Sequence, residues 1–158
     1  MKMPLKQQCE ACRDGIFAAI IDVLHERSEY ITSIERTARG ELPITGIALE
    51  LSPWHGGLGL SLRLSTDFPL GDFRYDSADW PHFDFTHGCA SPSIDQAISI
   101  VTEIYNQGKE PGNDLREMAH LTFMAGAEAI LNPSVARLLN GEEKVSGTVF
   151  VDPEGISP

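Results

Sequence analysis

The chain has 158 residues, 42% of them apolar and 22% charged, with a formal net charge of −11 and three cysteines. This length suits one domain with one core, and no apolar run approaches the roughly 20 residues that span a bilayer. Three cysteines are too few, and of the wrong parity, for a disulfide framework, and so acidic a surface repels phosphate backbones, which argues against direct nucleic-acid binding.

Residues 1–158 therefore read as a single globular domain. Met1 to Glu10 is polar and has none of the apolar core of a signal peptide, so a cytoplasmic location with reduced thiols is expected. The charge is unevenly placed. Residues 1–40 hold six basic and six acidic side chains, so the whole acidic excess lies beyond them. Such a surface either keeps a cytosolic protein in solution or speeds the encounter with a basic partner.

From Leu5 to about Arg39 the pattern is helical. Cys12, Ile16, Ala19, Ile20, Val23 and Leu24 recur at three- and four-residue steps, which makes one buried stripe. Ile31 and Ile34 extend it past a bend near Ser28, and Gly40 and Pro43 close the helix.

The stretch Ile44 to Ser65 then reads as a β-hairpin. Ile47, Leu49 and Leu51 alternate along the first arm, and Leu58, Leu60, Leu62 and Leu64 along the second. With Ser52 to Gly57 as the loop, Leu51 faces Leu58, Leu49 faces Leu60 and Ile47 faces Leu62. A one-residue slip would turn one arm's leucines to solvent, so the pattern fixes the register. A two-stranded hairpin is marginal alone, and the remaining chain must cover its leucine face.

Asp67 to Ala90 is rich in aromatic residues and aspartates, with Phe73-Arg74-Tyr75 as a third strand and Phe83-Asp84-Phe85 as a strand or a packed loop. Ser91-Pro92 marks the next helix start, Ser as N-cap and Pro at N1. Ile94, Ala97, Ile98, Val101, Ile104 and Tyr105 form its stripe, and Gly108 ends it. Asn113 or Asp114 caps a further helix with the small-residue stripe Ala119, Ala125, Gly126 and Ala129. Asn132-Pro133 ends that helix and begins a short one, Ser134 to Leu139, and Val145 to Val151 has strand composition. The expected fold class is α+β: a small, mostly antiparallel sheet built on a 44–65 hairpin, with a long N-terminal helix and two to three C-terminal helices on one face.

Persuasive catalytic motifs are few. Cys9 and Cys12 have C-x-x-C spacing, but they fall on a helix without the further ligands of a structural zinc site. His82, His87 and Cys89, with Asp84 and His55 as further candidates, are the alternative: a metal- or cysteine-dependent hydrolase site. Gly56-Gly57-Leu58-Gly59 opens a strand and lacks the Lys-Ser/Thr of a phosphate loop. No cofactor is expected.

Trp54, Phe68, Phe73, Tyr75, Trp80, Phe83 and Phe85 are seven of the twelve aromatic residues, interleaved with Asp67, Asp72, Asp76, Asp79 and Asp84. Aromatic anchors ringed by acidic groups suit a surface for a basic protein partner. The same rings equally well build the core beneath the hairpin. On the binding reading the contacts come from Trp54, His55, Asp72, Asp76, Asp79, Trp80 and Asp84.

The run Phe73 to Trp80, FRYDSADW, resembles a family of bacterial proteins of unknown function with a Tyr-Arg-Trp-like strand end followed by a Ser-Pro-x-x-Trp-like turn. Phe73, Arg74, Tyr75, Ser77 and Trp80 match, while Asp76 and Ala78 depart and Tyr75 replaces the tryptophan. The resemblance implies a long N-terminal helix, antiparallel strands and C-terminal helices. Some small α+β families of this kind act as immunity proteins against secreted toxins. The functional expectation is thus a non-enzymatic cytosolic protein-binding module, of which an immunity-type inhibitor is one form. The alternatives are the hydrolase and a structural subunit of a larger assembly.

Overall fold

A computed structural model describes residues 2–33, 44–64, 86, 88–140 and 148–151. Helix α1 (Leu5–Glu26) buries Cys12, Ile16, Ala19, Ile20, Val23 and Leu24, the stripe read from the spacing. It ends at Arg27, whose N–H bonds the Val23 carbonyl at 2.8 Å, and the chain re-enters helix as α2 (Ser28–Ser33). The break falls beside Ser28, where the bend is expected. Gly40 and Pro43 lie outside the described residues.

Strands β1 (Ile44–Ser52) and β2 (Gly57–Leu64) form the hairpin, antiparallel, with Leu51 opposite Leu58, Leu49 opposite Leu60 and Ile47 opposite Leu62. Leu49, Leu51, Leu60 and Leu62 are each buried to 1% exposure or less, so the leucine face is the floor of the core. Each such side chain removed from water contributes about 2 kcal/mol. The opposite face is not open either. Ala48 and Ser61, paired across the strands, are 2% and 0% exposed. The Ser61 hydroxyl meets the need for a partner there by donating to the Glu50 carboxylate at 3.3 Å. The small side chains on this face (Ala48, Gly59, Ser61) are the trace that close cover leaves in the sequence.

Helix α3 (Pro92–Gln107) begins as expected. Extended Ser91 accepts the Ser93 N–H at 3.2 Å, and Pro92 takes the first helical position. The Ser91 hydroxyl also donates to Asp22 at 2.9 Å, which ties this cap to α1. Hydrogen bonds from Ser93 and Ser91 hold the Asp22 carboxyl below its ordinary range. Helix α4 (Leu115–Ile130) is capped by Asp114, which accepts the Arg116 N–H at 2.8 Å. Helix α5 (Pro133–Asn140) follows Asn132, whose side chain accepts the Ser134 N–H.

Strand β3 (Thr148–Val151) lies within the run read as strand-like from composition. It pairs with β1 in parallel, giving the sheet order β2-β1-β3. The antiparallel pairing runs the length of the hairpin, whereas the parallel one covers only Gly46–Leu49 against Thr148–Val151. Parallel pairing requires a long crossover, and the chain supplies it through β2 and the three C-terminal helices. The fold is α+β. The third strand expected at Phe73-Arg74-Tyr75 lies outside the described residues. Among those residues no helix is long and apolar enough to cross a membrane.

Helix α1 packs on α3 and α4, α4 packs on β1 and β3, and α3 packs on β2. Two glycines set the closest approaches. A Cβ at Gly126 of α4 would stand 2.7 Å from Leu51 Cδ1 and 3.0 Å from Leu49 Cδ2. A Cβ at Gly108, after α3, would stand 2.6 Å from the Leu115 Cα at the start of α4.

Gly126→Ala is therefore expected to destabilise the fold by about 1–2 kcal/mol, because overpacking exceeds the gain in helix preference. Gly15→Ala in α1 meets Ile100 Cδ1, the far end of a flexible side chain, at 3.3 Å, and the Ala97 Cα at an ordinary 3.9 Å. It should stay within about 1 kcal/mol of wild type, since helix preference there offsets a mild squeeze. Urea unfolding of the two variants measures the contrast.

Candidate binding surface at the hairpin tip

The hairpin loop is held down at one residue and raised at the next. Pro53 is fully buried, and the His55 N–H closes the turn on the Ser52 carbonyl at 3.0 Å. Gly56 completes the turn at φ 65°, a conformation that favours glycine. The loop lies against α3, because a Cβ at Gly56 would touch Ile98 Cγ2 at 3.4 Å and approach Thr102 Oγ1 at 3.9 Å.

Trp54 stands on this base with 36% of its surface exposed. Its ring meets Tyr105 of α3 edge-on at 6.3 Å between centroids, Phe123 of α4 at 6.4 Å and His55 at 6.1 Å. These distances and angles near 65–70° are the favourable edge-to-face geometry of aromatic pairs. The Lys109 ammonium lies 5.4 Å from the Tyr105 ring centre. An indole is thus held over the junction of α3 and α4 by rings from both helices.

Two grooves lie along α3. One, of about 490 Å³, runs along the solvent face of α3 between Ser99, Thr102, Glu103, Asn106, Gln107 and Glu110, with Lys2 at its edge. The other, of about 510 Å³, lies where the N-terminal segment meets α3 and includes Met3, Ala11, Ile100 and Ile104. Thr102 belongs both to the first groove and to the surface under the loop. Its hydroxyl oxygen is buried without a hydrogen-bond partner among the described residues. Lys2 and Glu103 line both grooves, and the Lys2 ammonium bonds Glu110 Oε1 at 2.5 Å. With side chains 66% and 51% exposed, this pair is a surface ion pair of little stabilising effect.

Of the residues read as a binding surface, Trp54 and His55 come together at the tip. Asp72, Asp76, Asp79, Trp80 and Asp84 lie outside the described residues. So do His82 and His87 of the alternative hydrolase site. Cys89 accepts a hydrogen bond from Arg27 Nε at 3.1 Å, and burial, outweighing the nearby guanidinium, leaves its thiol raised. A raised thiol is the less reactive form at neutral pH. Cys9 and Cys12 are unbridged. Among the described residues no three His, Cys, Asp or Glu side chains gather as metal ligands.

Sequence reading missed Tyr105 and Phe123. Tyr105 was placed in the core stripe of α3, where it is half-buried. Its signal was position: it continues the line Ile98, Thr102, Tyr105 at four- and three-residue steps, the line on which the loop rests. No family model, no curated protein and no solved structure matches the chain.

The three thiols should separate by reactivity. Burial pushes the Cys12 thiol up to about 12. At pH 8 its thiolate fraction is about a thousandfold below that of an unfolded cysteine, and its labelling should slow at least in proportion. Ellman titration is expected to detect Cys9 and Cys89 before Cys12, which reacts fully only in denaturant. Fast labelling of Cys12 in the native protein would contradict its placement in the core.

Proposed function

We propose that the chain is a non-enzymatic protein-binding module of the cytosol that uses Trp54 as the anchor for a basic partner. The observation that carries this reading is a partly exposed indole fixed edge-on by Tyr105 and Phe123 beside a groove bearing two glutamates. Anchor residues of protein interfaces are typically tryptophan, tyrosine and arginine side chains. An anchor already locked in place loses little freedom on binding, so more of its contact energy appears as affinity. The net charge of −11 supplies the long-range attraction for a basic surface.

An immunity-type inhibitor, which would occlude the working surface of a basic toxin domain, is the specific form favoured by the resemblance at Phe73–Trp80. On that form Asp72, Asp76, Asp79 and Asp84 steer the encounter and Trp80 adds a second aromatic contact.

The test begins with basic proteins encoded beside this gene, and with basic proteins retained on the immobilised chain. For a partner so identified, affinity should fall at least tenfold between about 50 and 500 mM salt, as screening removes the steering field. Trp54→Ala should cost about 2 kcal/mol of binding, some thirtyfold in Kd, with the folded state retained by circular dichroism. An affinity indifferent to salt and to Trp54 would defeat the reading.

A further inference from the structure

We draw no further inference here: the strongest candidate, the groove where the N-terminal segment meets α3, walled by Met3, Ala11, Ile100 and Ile104, is an open apolar face, and nothing in the structure shows what covers it.

Discussion

At Gly126 helix α4 presents bare backbone to the Leu49 and Leu51 side chains of strand β1, and much of the described structure depends on that contact. The glycine lets the helix backbone settle onto Leu49 and Leu51, two residues of the leucine face. One turn earlier on the same helix is Phe123, which is carried with it to the hairpin tip. Gly108 acts in the same way at the other end. By letting the start of α4 close on the end of α3, it brings Tyr105 and Phe123 to a common point. Trp54 rests where these two constraints converge. The tip is therefore not a loop decorated with an aromatic residue. It is the place where the packing of two helices on a sheet becomes visible at the surface.

The hairpin register was legible because its signal is local. Period-two alternation with leucines on facing arms admits one pairing, and the observed one is that pairing. The helix starts were legible for the same reason, since Ser91-Pro92 and Asp114 satisfy orphan N–H groups through side chains close in sequence. The parallel partnership of β3 with β1 was not legible. Strand composition announces a strand but not its neighbour, and these two are separated by the whole helical half of the chain. Cys89 is a similar case, because its hydrogen-bond partner is Arg27, 62 residues away. Sequence proximity pointed instead to His87.

The site was legible only in its most local part. Trp54 and His55 stand out as large residues in a turn that otherwise consists of proline and glycine. Their support comes from α3 and α4, and a helical stripe alone does not reveal which of its members reaches past the core edge to meet a loop. Tyr105 and Ile104 are consecutive, yet Ile104 is buried at 1% exposure while Tyr105 turns toward the tip. The buried Ala48–Ser61 pair carries the same lesson in reverse. Small residues on the second face of a strand signal cover as surely as leucines do on the first, although alternation alone reads them as the open side.

The tip and the groove along α3 differ in physical character, and the difference bears on how binding would proceed. Trp54 is fixed by three rings and a buried proline, so its contribution is set before a partner arrives. The groove is lined by long or polar side chains, and its Lys2–Glu110 pair is exposed and weak. Rigid apolar anchors chiefly slow dissociation, whereas exposed charges chiefly govern encounter and selectivity. A surface that sets one beside the other separates the two tasks. On the binding reading, the acidic charge would draw a basic partner in, and the indole that the sheet and both helices hold in place would retain it.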